Sequence, residues 1–163
     1  MRARSRWYEW PFEPLPVLRA LNQYGVEYVL IGGLAAVLQG SPLPTYDIDI
    51  ALSASGGNLN RIQAALDHLA AVVLGDVRDL GRALADGRIV SFSTRFGYID
   101  VISKPAGFES YTSLRRGARR LALEPGLDVL CSPIRDILRS RIAAGDLRQL
   151  PALEAALELT GAL

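Results

Sequence analysis

The sequence predicts an α/β (α+β) fold, in which a mixed β-sheet is flanked by helices that lie mainly on one face. Predicted strands and helices alternate along the chain, a hairpin pattern lies in the middle, and the last thirty residues are helical in pattern. Half of the residues are apolar and 21% are charged, as in soluble globular proteins. We expect a single domain over residues 1–163, with a core over about 26–131 and C-terminal helices over about 133–160.

The first half of the chain is predicted to alternate between helices and strands. Pro14 and Pro16 lead into a helix and Gly25 ends it, because proline fits a first helical turn and glycine a helix end. A β-rich run precedes the pair Gly32-Gly33, and an Ala/Leu-rich helix follows the pair. The predicted elements are a helix over 15–24, a strand over 26–31, a helix over 33–39, a strand over 45–50, a loop over 53–58, a helix over 59–71 and a short strand over 72–74.

The second half is predicted to contain a hairpin and two closing helices. Residues 76–86 form a polar connection with helical character, and residues 88–93 alternate like a strand before a tight turn. Ser132 is the predicted N-cap of the next helix, with Pro133 at its first position. The remaining predicted elements are strands over 96–102, 118–123 and 127–130 and helices over 133–144 and 147–159.

Two aspartates, Asp47 and Asp49, are separated by one residue in a predicted strand. Side chains two apart in a strand share one face, so both carboxylates project together while Ile48 and Ile50 turn into the core. Carboxylates held this close repel each other unless a cation lies between them. The pattern therefore predicts a divalent metal site, with Mg²⁺ favoured by oxygen ligands.

A third aspartate, Asp100, interrupts the apolar strand over 96–102. A lone aspartate in such a strand is costly to bury unless it is paired or ligates a metal. If this strand neighbours the strand of Asp47 and Asp49, the three carboxylates converge. Three carboxylates suffice to hold two metal ions for phosphoryl or nucleotidyl transfer.

The Gly32-Gly33 pair lies between a predicted strand and a predicted helix. Glycine lets backbone N–H groups approach a phosphate closely, and a helix N-terminus favours an anion. Thirteen residues separate the pair from Asp47. The glycine pair, this spacing, the Asp-Ile-Asp segment and a later strand-borne aspartate together predict a phosphate site beside a metal site.

The segment from Ile31-Gly32-Gly33 to Asp47-Ile48-Asp49-Ile50 resembles the signature of the DNA polymerase β-like nucleotidyltransferase superfamily. Within it, the chain resembles the small bacterial stand-alone type, which includes abortive-infection and toxin–antitoxin nucleotidyltransferases. The resemblance implies a nucleotidyltransferase core with C-terminal helices and transfer of an NMP from an NTP to an acceptor hydroxyl. It also implies Mg²⁺ or Mn²⁺ at Asp47, Asp49 and Asp100, with Gly32 and Gly33 cradling phosphates.

Two departures from the family pattern concern the substrate pockets. Many relatives carry an arginine two residues before the threonine, where this chain has Leu43. Toxin-type relatives tend to have a lysine in the C-terminal helix, where this chain has Arg141, and the following segment is shorter here. A domain that only binds nucleotide or a partner protein is therefore an alternative to an enzyme.

Several further residues are candidates for contacts with substrate. Thr45 either supports Asp47 as a strand-edge hydroxyl or touches the nucleotide, and Lys104 is close enough in sequence to Asp100 to reach a phosphate. Arg115 and Arg116 open a run with four arginines in six residues. That run is either a solvated turn before a strand or a contact to a triphosphate or an RNA backbone.

Three acceptors are consistent with the sequence. A tRNA 3′ end fits a toxin-like enzyme and the arginine run, and a hydroxyl of a partner protein fits an antitoxin that silences its toxin. A small-molecule antibiotic is the third candidate, although a cationic one would favour an acidic pocket beyond the three aspartates.

Composition limits the location of the protein. The basic start, residues 1–6, is followed by Trp7 and Tyr8 instead of an apolar signal core, and no apolar run reaches the length of a membrane span. Cys131 is the only cysteine and His68 the only histidine, which disfavours an internal disulfide and a zinc site. We expect a cytoplasmic protein with no membrane partner.

Overall fold

The computed structural model describes residues 12–160. The basic N-terminal segment, whose lack of an apolar signal core was the reason to expect no signal peptide, lies outside this range. The helices are α1 (Pro14–Gln23), α2 (Gly32–Val37), α3 (Gly56–His68), α4 (Leu80–Ala85), α5 (Tyr111–Gly117), α6 (Ile134–Ala143) and α7 (Leu150–Leu159). The strands are β1 (Tyr28–Ile31), β2 (Asp47–Leu52), β3 (Val72–Val73), β4 (Val90–Thr94), β5 (Gly97–Ile102), β6 (Arg119–Glu124) and β7 (Leu127–Cys131).

The described strands form one mixed sheet in the order β3-β4-β5-β2-β1-β7-β6. β2 pairs in parallel with β5, and β1 pairs in parallel with β7. The other neighbouring strands are antiparallel, including the hairpin of β4 and β5. The predicted α/β (α+β) fold with a mixed sheet is confirmed.

The two faces of the sheet are covered unequally. On one face, Ile48, Ile50 and Ile99 pack in a large apolar cluster to which α1, α2, α3, α4, α6 and α7 contribute buried residues. On the other face, a small cluster contains Phe108 and Leu114, from the loop before α5 and from α5 itself. The sparsely covered face is the one that carries the odd-numbered side chains of β2, and this leaves room for a polar site.

The predicted loop over 53–58 is wrong at its C-terminal half, because α3 already begins at Gly56. Ser55 caps this helix by accepting a hydrogen bond from the N–H of Asn58. The Asn58 side chain is fully buried, accepts a hydrogen bond from the N–H of Glu27 and donates to the carbonyl oxygens of Glu27 and Ser53. These bonds join α3 to the start of β1 and the end of β2, and they outweigh the low helix propensity of the two glycines.

Two other local features differ from the sequence prediction. Helix α5 was not predicted; it is started by a capping box in which Ser110 and Ser113 each bond the other's backbone N–H. The N-cap of α6 is Pro133 and not Ser132. Ser132 is instead tied to the sheet, because its N–H donates to the carbonyl of Leu30 at 2.9 Å.

Cys131 is buried at the end of β7. Burial raises the pKa of this thiol to about 12, so it stays protonated at neutral pH. Within residues 12–160, no helix has the length and apolar character that crossing a bilayer requires.

Replacing Asn58 with alanine should lower the free energy of unfolding by about 3 kcal/mol, because the N–H of Glu27 and the carbonyl of Ser53 lose their buried partner. Urea denaturation followed by circular dichroism measures the change. Asn60→Ala is the matched control, because Asn60 lies exposed on the same helix. Equal stabilities of the two variants would contradict the proposed role of Asn58.

Candidate active site

Three aspartates converge on the sparsely covered face of the sheet. Parallel pairing of β2 with β5 places Asp49 directly opposite Asp100, and Asp47 lies two residues earlier on β2. One carboxylate oxygen from each of the three lies within 4.8 Å of the other two, and all three side chains are partly buried. The predicted convergence is therefore present in the structure, and we call this group the aspartate triad.

The electrostatics of the triad are strained without a cation. Burial, followed by the charges of Asp47 and Asp100, raises the pKa of Asp49 to about 7, against a smaller opposing effect of Arg141 and the Gly33 N–H. Burial and Asp47 also raise the pKa of Asp100, and a hydrogen bond from Ser91 opposes this. A cation bound between the carboxylates would replace the proton that Asp49 otherwise holds.

The triad fits a divalent metal ion. Its donor set consists of carboxylate oxygens, which Mg²⁺ and Mn²⁺ prefer, and the spacing lets two or three of them reach one ion. The raised pKa of Asp49 agrees with this fit, because burial first and the neighbouring carboxylates second disfavour its charged form, which a bound cation would favour.

The glycine pair packs directly against β2. Gly32 has a φ of +67°, and a Cβ at this position would overlap the carboxylate of Asp49. A Cβ at Gly33 would lie 2.8 Å from Oγ1 of Thr45. Close approach of the Asp49 and Thr45 side chains therefore requires both glycines. The backbone N–H of Gly33 is close enough to Asp49 to oppose the rise in the pKa of that carboxyl group, so this amide faces a triad carboxylate.

Thr45 supports the triad from two residues before β2. Its hydroxyl donates to Oδ1 of Asp47 at 3.2 Å. This contact agrees with the predicted support of Asp47. Thr45 also lines a cavity together with the glycine pair, so it stands beside any group that binds there.

Two cavities meet at the triad. The glycine cavity, of about 320 Å³, is lined by the glycine pair, Thr45 and Asp47 and is mostly polar. The apolar cavity, of about 260 Å³, is lined by Asp100 and a set of apolar side chains. Asp49 and Arg141 line both. The apolar lining includes Ile31, Ile89, Ile102, Pro105, Phe108 and Leu114.

Arg141 is absent from the predicted site residues. The only signal that could have indicated it is that toxin-type relatives tend to carry a lysine at this position of the C-terminal helix. It lies in the last turn of α6 and is near enough to Asp49 to oppose the rise in pKa there. Its guanidinium contacts Asp146 at 2.6 Å. Arg141 reaches the cavities beside Asp49 through tertiary packing, and no local sequence signal gives this position.

The other predicted cationic residues lie elsewhere. Arg115 lines a separate cavity with Glu27 and Tyr28, at the N-terminal end of β1. Asp49 pairs with Ile31, at the other end of this strand. Arg116 is exposed in the last turn of α5. Lys104 is exposed in the loop after β5, where its Nζ donates to the carbonyl of Glu109 at 3.4 Å.

The mixed sheet with its triad defines the class of fold. The chain has the nucleotidyltransferase fold, as its similarity to solved structures shows. ANT(2'')-Ia, solved in complex with adenylyl-2''-tobramycin, shares 16% identity, with a TM-score of 0.61 over 91% of this chain and 87% of that one. The lincosamide antibiotic adenylyltransferase LnuA, solved with lincomycin, shares 14% identity, with a TM-score of 0.61 over 90% of this chain and 99% of that one.

A third similar structure is TM1012 from Thermotoga maritima, a candidate nucleotidyltransferase. It shares 14% identity, with a TM-score of 0.59 over 93% of this chain and 98% of that one. No protein-family model and no curated protein sequence matches the chain. The expected resemblance is thus confirmed at the level of the fold, and the toxin–antitoxin subtype stays a prediction.

We expect the metal-free protein to lose stability as the pH rises through 7, because the pKa of Asp49 is about 7 when folded and about 3.9 when unfolded. The folded state binds the extra proton between these values. This one group should make folding about 2 kcal/mol more favourable at pH 5.5 than at pH 8. Urea denaturation in EDTA at both pH values measures the difference.

Asp49→Asn should remove most of that pH dependence and stabilise the metal-free protein at pH 8. Mg²⁺ should stabilise the original protein more at pH 8 than at pH 5.5 and should leave Asp49→Asn unaffected. Asp86→Asn, at the exposed end of α4, is the control and should behave like the original protein. An unchanged pH profile in Asp49→Asn would refute the assignment.

Gly32→Ala should disrupt the triad because the new Cβ overlaps the Asp49 carboxylate. Gly87→Ala is a matched control: Gly87 has a similar φ of +74° but no atom near its would-be Cβ. The control should lose about 1 kcal/mol of stability from backbone strain. Gly32→Ala should lose about 1–3 kcal/mol more, and Mg²⁺ should no longer raise its melting temperature. Equal losses in thermal unfolding would show that the overlap has no consequence.

Proposed function

We propose that this chain is a metal-dependent nucleotidyltransferase. It transfers an NMP from an NTP to an acceptor hydroxyl and releases pyrophosphate. The observation that carries the proposal is the aspartate triad at the junction of two unlike cavities, on a nucleotidyltransferase fold. Mg²⁺ or Mn²⁺ held by Asp47, Asp49 and Asp100 would neutralise phosphate charge and polarise the α-phosphate.

The triphosphate occupies the glycine cavity. This cavity is mostly polar and contains Asp47 but not Asp100. Gly32 and Gly33 leave the backbone open on this side, and Thr45 offers a hydroxyl beside it. The backbone N–H of Gly33 faces Asp49 and favours its charged form, so it supports the carboxylate beside the phosphates.

Arg141 supplies positive charge at the same place. It lines the glycine cavity, as does Leu43, which stands where many relatives carry an arginine. A guanidinium presents several N–H donors to phosphate oxygens and keeps its charge at every physiological pH. Arg141 therefore supplies, in the same cavity, the positive charge that Leu43 does not.

The acceptor approaches from the apolar cavity. Asp100 lines that cavity and not the glycine cavity. The acceptor oxygen bonds to the α-phosphorus while the bond from this phosphorus to the β-bridging oxygen breaks. Pyrophosphate leaves with that electron pair, and the proton of the acceptor hydroxyl passes to Asp100. This division gives Asp47 to the nucleotide, Asp100 to the acceptor and Asp49 to both.

The lining of the apolar cavity favours a small organic acceptor with an apolar body and a hydroxyl group. Ile89, Ile102 and Phe108 offer van der Waals contact to an apolar body, and Arg141 is the one cationic side chain among the described residues that line the cavity. Asp136 also lines the cavity and would suit a cationic group on the acceptor. The predicted tRNA or partner-protein acceptor is the competing candidate; the arginine run that favours it includes Arg115, which lines a different cavity.

Incubation with each α-labelled NTP, Mg²⁺ or Mn²⁺, and three separate acceptor pools tests the proposal. The pools are total tRNA, lysate protein and a panel of small hydroxylated amphiphiles. We expect label in the small-molecule pool, with release of one pyrophosphate per NMP transferred. Asp47→Asn and Asp100→Asn should lower the rate by about 10²-fold or more, whereas Asp86→Asn should leave it unchanged.

The alternatives have distinct outcomes in the same assay. Label in RNA or protein that disappears in Asp100→Asn keeps the reaction and changes the acceptor class. Metal-dependent NTP binding without label in any pool would replace the enzyme with the binding-only alternative.

A further inference from the structure

The C-terminal end of α6 is built to bring Asp146 onto Arg141. Ala144 is the C-cap, and Gly145 follows with a φ of +73°. The N–H of Asp146 donates to the carbonyl of Arg141, and the N–H of Gly145 donates to the carbonyl of Ile142. This pair of bonds is the Schellman motif, in which the residue after the glycine folds back over the last helical turn.

The contact that normally accompanies this motif is apolar, and here it is an ion pair. Nη1 of Arg141 lies 2.6 Å from Oδ2 of Asp146, and both side chains are about three-quarters buried. The other oxygen, Oδ1, lies 3.1 Å from Nε of Arg148. Both carboxylate oxygens are engaged, so the Asp146 side chain is fixed from two sides.

This arrangement leaves the cluster with a net positive charge. Two arginines, Arg141 and Arg148, share one aspartate, so Asp146 orients a guanidinium without neutralising the group. Among the ion pairs formed by the described residues, Arg141 pairs with Asp146 and with no member of the triad. This is informative because Arg141 and Asp49 line the same two cavities.

We propose that Asp146 is a positioning residue for phosphate binding. It holds the Arg141 guanidinium at the junction of the two cavities and keeps it from closing onto the triad carboxylates. The inference rests on the proposed function, because it takes the phosphates of an NTP as the anion that Arg141 meets. Without Asp146, Arg141 pairs with Asp47 or Asp49 and must break that pair before it can bind phosphate.

Calorimetric titration with inorganic tripolyphosphate in Mg²⁺ tests this without requiring transfer. We expect Asp146→Asn to weaken binding about tenfold and Arg141→Ala to weaken it at least as much. The double variant should bind like Arg141→Ala alone, because Asp146 acts only through Arg141. Asp146→Glu retains the charge and should retain most of the binding. Asp128→Asn, which removes a remote ion pair with Arg120, should have no effect.

Steady-state kinetics with NTP separates positioning from a structural role. Asp146→Asn should raise KM for the NTP about tenfold and change kcat by less than about threefold. A purely structural role would lower the melting temperature and leave tripolyphosphate binding and KM intact.

Three results would overturn the inference: tripolyphosphate binding by Asp146→Asn within twofold of the original protein, additive losses in the double variant, or no binding by the original protein. Failure of the proposed function looks different. In that case tripolyphosphate binding responds to Asp146→Asn, but no acceptor pool receives label.

Discussion

Repulsion among three carboxylates is the constraint on which the rest of this site depends. Parallel pairing of β2 with β5 fixes Asp49 opposite Asp100, and neither side chain can retreat because each strand is anchored by apolar neighbours on the opposite face. Those neighbours, among them Ile48 and Ile99, are fully buried. The core thus supplies the free energy that holds like charges together, and burial, followed by the charges of Asp47 and Asp100, raises the pKa of Asp49.

The glycine pair is required first by the space available beside Asp49 and Thr45, whatever group binds there. Gly32 adopts a backbone conformation that side chains disfavour, and the space a Cβ would fill is taken by Asp49. This explains why glycines precede the strand that carries Asp47 and Asp49: the turn after β1 must pass close over the carboxylates. The short helix α2, with six residues, contributes buried side chains to the core. Its start is accordingly shaped by packing against β2 as much as by any anion.

The sequence predicted the triad because its signals are local and the strand periodicity is strict. Strand periodicity places Asp47 and Asp49 on one face of β2. The pairing of β2 with β5, which brings Asp100 beside them, could be established only from the structure. Helix α5 was missed because its capping box uses Ser113 where glutamate or glutamine is the usual signal. Arg141 was not placed in the site because α6 meets β2 through long-range packing. The density of the arginine run at 115–120 gave no information on where those charges point.

Charge at this site is divided between groups of different origin. The negative charge comes from two adjacent strands, whose geometry is rigid, and the positive charge comes from the end of α6, whose geometry depends on a glycine turn. A strand-borne triad cannot adjust to an arriving polyanion, so any adjustment falls to Arg141. The ion pair with Asp146 limits that adjustment to small movements. The site therefore combines fixed carboxylates with a single tethered guanidinium, and the tether preserves a positive charge beside the triad instead of within it.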